Sequence, residues 1–210
     1  MQDIYLIDDE PAIRASLSAL LSTVGWQTKT YDSAQTFQQE AGALSLLSGC
    51  MLLDIRMPGK TGLTLLDEWK QQGLEIPVII MTGHGNIDLC RRAFRNGAFE
   101  FLTKPIDADL LFEVVGGALE QQAQLQVQRQ KLRLMHDRLV TLTSRENEIF
   151  GQILQGQSNK EIARHYALSP RTVEAHRASI FAKLGVNSVA RLISVYGELS
   201  LREKKSICQV

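Results

Sequence analysis

Short apolar runs alternate with longer helix-like segments through the first half of the chain. Five of these runs predict β-strands, which cover residues 3–7, 28–31, 50–54, 77–81 and 98–102. The remaining segments predict helices near residues 11–24, 33–45, 62–72, 86–95 and 108–120. Apolar runs that are each followed by a helix are typical of buried parallel strands joined by right-handed crossovers. We therefore predict an α/β fold with a doubly wound, five-stranded parallel sheet.

The second half of the chain predicts a compact all-α domain of four helices. Capping signals mark three helix starts: Thr143 with Glu146, Ser158 with Glu161, and Ser169 before Pro170. The third helix places Val173, Ile180 and Leu184 toward a core at helical spacing and ends at Gly185. A fourth helix is predicted over residues 189–199. A tight turn joins the second and third helices.

A segment without Gly or Pro connects the two halves. Residues 118–141 are rich in Gln and in strong helix formers. Leu125, Leu132 and Leu139 recur every seven residues, although Gln128 interrupts the companion series offset by three. Two interpretations stay open, namely a helix that pairs between two subunits and a single exposed linker helix. We predict domain bounds of 1–119 for the first domain, 120–141 for the helical linker and 142–205 for the second domain.

The net charge of zero conceals an uneven distribution. Residues 1–120 hold nine Lys or Arg and sixteen Asp or Glu, a balance of −7, whereas residues 121–210 hold fourteen and seven, a balance of +7. A basic second domain favours a polyanionic partner. Its third helix carries Arg171, His176, Arg177 and Lys183, and such a helix after a tight turn suits the major groove of DNA. The alternative is a protein-binding domain with an ordinary solvated face.

The remaining composition favours a cytoplasmic protein. A hydrophobic content of 44% is ordinary for soluble chains, and no apolar run is long enough to cross a membrane. The N-terminus is a charged, strand-like segment rather than a secretory signal. The three cysteines, at positions 50, 90 and 208, have no metal-ligand spacing. We expect them to be reduced thiols.

Polar residues follow four of the five predicted strands. They are Asp8 and Asp9 after the first, Asp54 at the end of the third, Thr82 after the fourth, and Lys104 with Pro105 after the fifth. Each residue alone has a simpler explanation as a turn or a helix cap. However, the carboxyl ends of parallel strands meet at one edge of a sheet, where ligands bind. We therefore expect these side chains to converge on one pocket.

The predicted pocket has the groups that phosphoryl transfer requires. Three clustered carboxylates repel one another unless a cation lies among them, and hard oxygen ligands suit Mg²⁺. A divalent ion, a lysine and a hydroxyl stabilise a transferring phosphoryl group, and one carboxylate would be the nucleophile. Because no Gly-rich nucleotide loop is present, we expect the phosphoryl donor to be another protein or a small phosphodonor.

The motifs of both halves resemble those of two-component response regulators. Leu53-Asp54-Ile55-Arg56-Met57-Pro58 and Thr82-Gly83-His84-Gly85 are similar to the FixJ side of the FixJ/NarL group. Leu142-Thr143-Ser144-Arg145-Glu146 and Pro170-Arg171-Thr172-Val173-Glu174 are similar to the LuxR-type output domain. The resemblance covers nearly the whole chain. It implies a flavodoxin-like receiver domain followed by a helix-turn-helix domain.

The resemblance implies a phosphorylation site and a metal site in the predicted pocket. Asp54 would be the phosphoacceptor. Asp8 and Asp9 would bind Mg²⁺ together with Asp54 and the main-chain carbonyl of Arg56. A metal-dependent phosphatase is an alternative, but such an enzyme normally has a second Asp two residues after the nucleophile, where this chain has Arg56.

The resemblance also implies a switch beside the phosphoacceptor. Lys104 would pair with the phosphoryl group, and the bond between Lys104 and Pro105 would be cis. Thr82 would close on a phosphoryl oxygen, and Phe101 would move with it. Because this aromatic residue is Phe and not Tyr, it offers ring packing without a hydroxyl contact.

For the second domain, the resemblance implies that the helix from Pro170 to Leu184 lies in the DNA major groove. Base edges would be contacted by Glu174, Ala175 and Ala178. Positive side chains would hold phosphates, and the full set of predicted contacts also includes Lys160, Arg171, Thr172, His176, Arg177 and Lys183.

The implied function is that of a cytoplasmic transcriptional regulator. A sensor histidine kinase would donate a phosphoryl group to Asp54, and the protein would then form a homodimer on promoter DNA, with RNA polymerase as a further partner and no membrane contact. Self-phosphorylation from phosphohistidine and autodephosphorylation, both dependent on Mg²⁺, would be its only chemistry. A protein-interaction adaptor that does not bind DNA is a further alternative.

Overall fold

The computed structural model describes residues 3–83 and 87–197 of the chain. Contacts divide the chain into two compact units, Met1–Val127 and Gln128–Val210. Each unit has its own hydrophobic core. The last two residues of the predicted fourth helix of the second domain, and the rest of the predicted domain up to residue 205, lie outside the described residues.

The first unit is built around a single parallel sheet. Its strands are β1 (Asp3–Ile7), β2 (Thr28–Tyr31), β3 (Gly49–Asp54), β4 (Val78–Thr82) and β5 (Glu100–Thr103), in the order β2-β1-β3-β4-β5. Each strand is followed by a helix: α1 (Pro11–Thr23), α2 (Ala34–Glu40), α3 (Gly62–Gln71), α4 (Ile87–Arg95) and α5 (Ala108–Val140). The predicted doubly wound α/β fold is confirmed.

Both faces of this sheet are covered by apolar side chains. Successive residues of a strand point to opposite faces. Tyr5 and Ile7 accordingly join a cluster that contains Trp69 of α3, whereas Ile4 and Leu6 join a second cluster with residues of α1 and α5. The near-continuous apolar runs of the sequence therefore reflect strands that are buried on both sides.

Two helices of this unit differ in length from the prediction. The helix predicted over residues 33–45 ends at Glu40, because Gly42 adopts a left-handed conformation with φ of 70°, and a short 3₁₀ helix (Leu44–Leu46) follows. The helix predicted to end near residue 120 continues without a break to Val140. Since no Gly or Pro occurs between Ala118 and Thr141, nothing in the local sequence ends it earlier.

The second unit consists of the last turns of α5 followed by α6 (Ser144–Leu154), α7 (Asn159–His165), α8 (Pro170–Leu184) and α9 (Val189–Gly197). Both predicted capping boxes are present, and Ser169 caps α8. Gly185, with φ of 67°, ends α8 as predicted. The core contains Met135 from α5 together with residues of all four following helices.

No single described helix is long and apolar enough to cross a membrane. The bent pair of α8 and α9, with an angle of 52° between them, satisfies the criterion by length and composition.

Candidate functional site

The carboxyl edge of the sheet holds the polar residues that the sequence pattern selects. Asp54 and Thr82 are the last residues of β3 and β4, and Asp8 directly follows β1. The pairing of Ile7 with Leu53 sets Asp8 level with Asp54 on the neighbouring strand. Lys104 follows β5, and its main-chain N–H donates to the carbonyl oxygen of Thr82 at 2.7 Å. Topology alone thus brings four distant segments to one place.

The side chain of Lys104 joins two buried carboxylates. Its Nζ lies 2.6 Å from Oδ2 of Asp8 and 3.0 Å from Oδ1 of Asp54, and the Asp8 and Asp54 side chains are 0% and 4% exposed. Nζ also lies 3.6 Å from Oε1 of the exposed Glu10. One ammonium therefore faces two buried negative charges, with a third at the rim.

The electrostatics of this cluster reflect competition between burial and pairing. Burial raises the pKa of Asp54, and the bond from Lys104 offsets this effect only in part. Burial by itself lowers the pKa of Lys104, but the hydrogen bonds to Asp8 and Asp54 outweigh it and raise the pKa overall. The second carboxylate oxygen of Asp54 accepts from the main-chain N–H of Arg56 at 2.8 Å. Asp54 is thus ionisable, held in place and short of positive charge.

The loop after β1 is fixed by hydrogen bonds at both ends. Oδ1 of Asp8 accepts from the main-chain N–H of Glu10 at 3.0 Å, and Nη1 of Arg14 donates to the carbonyl oxygen of Asp8 at 2.6 Å. Asp9, in contrast, is exposed. Arg14 is not among the site residues predicted from the sequence. Its spacing of four residues from Glu10, one helical turn, is the signal that places it beside this loop.

Two of the predicted metal ligands, Asp8 and Asp54, bond to the same ammonium of Lys104. Among residues 3–83 and 87–197, no three His, Cys, Asp or Glu side chains are grouped as metal ligands. Nevertheless, the donor chemistry fits a hard divalent cation, since Asp8 and Asp54 offer buried carboxylate oxygens that a single lysine does not neutralise. Asp9 and the carbonyl oxygen of Arg56 belong to the two loops that flank this pair.

The predicted switch residues lie on neighbouring strands. Thr82 is fully buried at the end of β4, and Phe101 of β5 is half-buried against the cluster that contains Trp69. Phe101 pairs in register with Ile80, two residues before Thr82. The peptide bond between Lys104 and Pro105 is cis, as predicted.

Gly62 brings the start of α3 against the backbone of the predicted phosphoacceptor. Its main-chain N–H donates to the carbonyl oxygen of Ile55 at 2.9 Å. A Cβ atom at this position would lie 2.3 Å from the carbonyl oxygen of Asp54 and 3.0 Å from Cα of Ile55. A side chain would therefore displace backbone, which makes glycine the residue that this close approach requires.

In the second unit, α7 and α8 form the predicted helix-turn-helix. Ile162 and Ala163 of α7 and Val173, Ile180 and Leu184 of α8 are buried in its core. Four residues that the prediction assigns to DNA contact are exposed along one side of α8, at helical spacing: Arg171, Glu174, Ala175 and Ala178. Lys160 on α7 is exposed as well. The structure therefore leaves one face of α8 open for a partner.

Other predicted contact residues of α8 are engaged within the unit. The hydroxyl of Thr172 lies 2.8 Å from that of Ser169 at the helix start, and the guanidinium of Arg177 lies 5.8 Å from the ring centre of Phe181. His176 is half-buried. Lys183 Nζ lies 2.6 Å from Oε2 of Glu146. Glu146 is predicted from the sequence as part of a helix cap, but not as the partner of Lys183.

Comparison with known proteins covers both units. Residues 4–116 match the model of the response regulator receiver domain, and residues 140–196 match that of the luxR family of bacterial regulatory proteins. The chain is 38% identical to the transcriptional regulatory protein FixJ of Bradyrhizobium diazoefficiens, over 90% of this chain and 92% of that protein. It is 34% identical to the transcriptional regulatory protein TdiR of Thauera aromatica, over 90% and 83%. This chain is a response regulator.

Solved structures support this membership in the response regulator family. The response regulator StyR has a TM-score of 0.85 and 31% identity, covering 94% of this chain and 98% of its own. Full-length FixJ from B. japonicum has a TM-score of 0.56 and 36% identity, covering 95% and 98%. The receiver match contains Asp8, Asp54, Thr82 and Lys104, and the luxR-family match contains α7 and α8. The protein is therefore a transcriptional regulator of the two-component type with a LuxR-family DNA-binding domain.

Proposed function

We propose that Asp54 is the residue on which this response regulator is phosphorylated. The single observation that carries the proposal is the cluster at the sheet edge, where Lys104 bonds to both Asp54 and Asp8. In the proposed reaction, an oxygen of Asp54 attacks the phosphorus of a phosphohistidine of the kinase. The N–P bond breaks, an O–P bond forms, and an acyl phosphate and a free imidazole result.

Residues around Asp54 have separate tasks in this proposal. Lys104, which already reaches the carboxylate, would pair with a phosphoryl oxygen, and the hydrogen bond from Arg56 would keep the carboxylate oriented. Thr82, at the end of the adjacent strand, would donate its hydroxyl to the phosphoryl group. Phe101 would then repack, which changes the surface that β5 and the helices beside it present.

Receiver domains generally bind Mg²⁺ for phosphorylation. In this chain Asp8, Asp9, Asp54 and the carbonyl oxygen of Arg56 would hold the ion, which supplies positive charge to the phosphoryl oxygens when bound. The same ion would support self-phosphorylation from phosphohistidine and autodephosphorylation. These assignments rest on the donor chemistry of the sheet edge. Isothermal calorimetry with Mg²⁺ tests them, because Asp9→Asn should weaken binding while the exposed Asp67→Asn should not.

Phosphorylation at Asp54 can be tested by mass. The full-length protein is incubated with acetyl phosphate and Mg²⁺, and its intact mass is compared with that of Asp54→Asn. We expect the parent protein to gain one phosphoryl group and the variant to gain none. Asp32→Asn, an exposed aspartate at the end of β2, is the matched control and should behave as the parent. Equal gains in the parent and in Asp54→Asn would refute the assignment.

We further propose that α8 lies in the DNA major groove, within an output domain of residues 142–205 that a linker of residues 120–141 joins to a receiver of residues 1–119. The exposed side of α8 supports this placement. Glu174 can accept from a cytosine amino group, and the methyls of Ala175 and Ala178 can contact thymine methyls. Arg171 and Lys160 would hold phosphates, with Thr172, His176 and Arg177 along the rim. Because promoter DNA would be the target, we expect a cytoplasmic location and RNA polymerase as a further partner.

Base reading and phosphate contact give different results in binding titrations. Glu174→Ala should change the preference at one base pair by ~1–3 kcal/mol, whereas Arg171→Ala should weaken all duplexes alike and lower the salt slope by about one. Titrations at several salt concentrations on selected and scrambled duplexes distinguish the two. A uniform loss with Glu174→Ala would remove its base-reading role.

Phosphorylation is proposed to convert the protein into a homodimer. The surface of the receiver around β5 is one candidate interface, and the exposed Val127, Leu132 and Leu134 of α5 are apolar positions available to a second copy. Sedimentation with and without beryllofluoride, which mimics the phosphoryl group, tests this step. Identical sedimentation in both states would argue against it.

A further inference from the structure

One buried carboxylate of the second unit connects the start of α6 to α8. The Glu146 side chain is 6% exposed. Its Oε1 accepts from the hydroxyl of Ser179 at 2.6 Å, and its Oε2 accepts from Nζ of Lys183 at 2.6 Å and from the main-chain N–H of Thr143 at 2.8 Å. Because Ser179 and Lys183 are four residues apart, they occupy the same face of α8. The carboxylate therefore holds two successive turns of that helix.

Lys183 is bound to the protein by a second contact. Its Nζ also donates to the carbonyl oxygen of Thr141 at 3.1 Å, so that two of the three ammonium protons are committed within the unit. Bonds from Lys183 and Ser179 also lower the pKa of Glu146 to about 2, because they stabilise its ionised form. In this geometry the ammonium of Lys183 holds α8 to the start of α6. A lysine that binds a DNA phosphate would instead point its ammonium toward solvent.

The position of these contacts around α8 gives them a specific effect. With 100° of rotation per residue, the direction midway between Ser179 and Lys183 lies roughly 140° around the helix axis from the direction midway between the exposed Glu174 and Ala178. The core contacts of Val173 and Ile180 are apolar and hence non-directional. Hydrogen bonds, in contrast, weaken steeply when misaligned. The bonds to Glu146 therefore fix the rotation of α8 about its own axis more tightly than the core alone.

We propose that Glu146 is a positioning residue for DNA recognition. Through Ser179 and Lys183 it sets the rotation of α8, and so aims the base-reading side chains at the correct base edges. Lys183 acts through Glu146 and not on a DNA phosphate. This inference rests on the proposed placement of α8 in the major groove.

Because Glu146 is charged, a positioning role and a purely electrostatic effect predict different results when it is replaced. Glu146→Gln removes a negative charge from a unit that binds a polyanion, so electrostatics alone predicts tighter binding to every duplex. A positioning role predicts weaker binding to the specific duplex only. Glu148→Gln is the matched control, because it makes the same charge change on α6 at a side chain that is 49% exposed and paired with Arg145.

The experiment uses the full-length protein with beryllofluoride and Mg²⁺. Two probes are titrated: a duplex that the parent protein selects from a random-sequence pool, and a scrambled duplex of the same composition. We expect Glu146→Gln to bind the selected duplex about tenfold more weakly and the scrambled duplex no more weakly than the parent. Glu148→Gln should bind both as well as or better than the parent.

Lys183→Met and its combination with Glu146→Gln test whether the two residues act together. We expect the double variant to lose little more affinity than either single variant, because one interaction is removed in each case. A phosphate contact by Lys183 would instead weaken both duplexes and lower the salt slope by about one, independently of Glu146. That outcome would overturn the proposal, as would equal behaviour of Glu146→Gln and Glu148→Gln on the selected duplex.

Ser179→Ala keeps the inference testable if Glu146→Gln does not fold. It removes one uncharged donor and leaves the ion pair and the helix cap in place, so a smaller loss confined to the selected duplex is expected. No loss at all would overturn the proposal. Failure of the parent protein to select any duplex would instead contradict the proposed DNA-binding role of α8, and so the two failures are distinguishable.

Discussion

Lys104 in the first unit bonds to two buried carboxylates, whereas Glu146 in the second unit receives three donors, from Lys183, Ser179 and the main chain of Thr143. In the first cluster negative charge exceeds positive charge, and burial raises the pKa of Asp54. In the second, bonds from Lys183 and Ser179 lower the pKa of Glu146.

The two clusters therefore differ in whether they can gain a ligand. A carboxylate that is short of donors is ready to gain a cation, because the cation offsets its unpaired charge. A carboxylate with all its donors in place gains nothing from a ligand and contributes to the rigidity of its surroundings. Similar lysine–carboxylate pairs can thus indicate a reactive site in one unit and a contact that stabilises helix packing in the other.

The largest effect on this comparison should come from Lys104→Met. The substitution leaves Asp8 and Asp54 buried without their cation, and we expect it to destabilise the first unit by about 3–5 kcal/mol in the presence of a chelator. Urea unfolding followed by tryptophan fluorescence measures it, since both tryptophans, Trp26 and Trp69, lie in the first unit.

The control for this prediction is Lys60→Met. Lys60 pairs with Glu68 at 2.6 Å, but its side chain is 60% exposed, and surface pairs contribute only about 0–1 kcal/mol. Equal destabilisation by the two substitutions would show that the buried cluster contributes no more to stability than a surface ion pair.

An intermediate effect is expected from acid on the second unit. The pKa of Glu146 is about 2 when folded, below its ordinary value of 4.5, because Lys183 and Ser179 donate to the ionised form. The folded state then binds fewer protons than the unfolded state in this interval. Its stabilising contribution is complete above pH 4.5 and is lost as the pH falls toward 2.

Hydrogen exchange measured on peptides of α6 and α8 reports this loss for the second unit by itself. At neutral pH, protection in Glu146→Gln should be lower than in the parent protein. The difference should shrink steadily between pH 4.5 and 2. A difference that is constant across this range would mean that the ionised carboxylate is not what stabilises these helices.

The smallest effect should have the opposite sign. Asp54→Asn removes one of two buried negative charges and keeps the shape of the side chain, so we expect the metal-free first unit to become slightly more stable. The urea midpoint of the tryptophan signal should rise relative to the parent in chelator. Glu146→Gln, in contrast, should lower the stability of the second unit. If each substitution lowered the stability of its own unit, the contrast between the two clusters would be lost.

Much of the first site follows from the sequence because topology determines it. Once the five strands are parallel, Asp8, Asp54 and Lys104 must meet at one edge, whatever their side chains do. The choice of partner is different, because it depends on where a long, flexible side chain ends. The bond from Arg14 to the carbonyl oxygen of Asp8 illustrates this point, since helical spacing sets Arg14 near the loop but does not determine which atom its guanidinium reaches.

The second unit shows more clearly that the sequence predicts local contacts but not pairings between distant residues. The capping role of Glu146 was predictable because Thr143 lies three residues before it, within one turn. Its pairing with Lys183 spans 37 residues and depends on how α6 packs against α8. Positive charge on α8 predicts a phosphate contact for Lys183, and composition does not reveal the bond from its ammonium to Glu146.

Gly62 limits which substitutions this response regulator can accept beside Asp54. A side chain there would collide with the carbonyl oxygen of Asp54, an atom that cannot turn aside as the end of a flexible side chain could. In a library randomised at positions 60–62 and sorted for phosphorylation, Lys60 and Thr61 should accept many replacements, while position 62 should return glycine. Substitutions at positions 60 and 61 should thus alter the exposed approach to the site, while glycine at position 62 keeps α3 close to the backbone of the proposed phosphoacceptor.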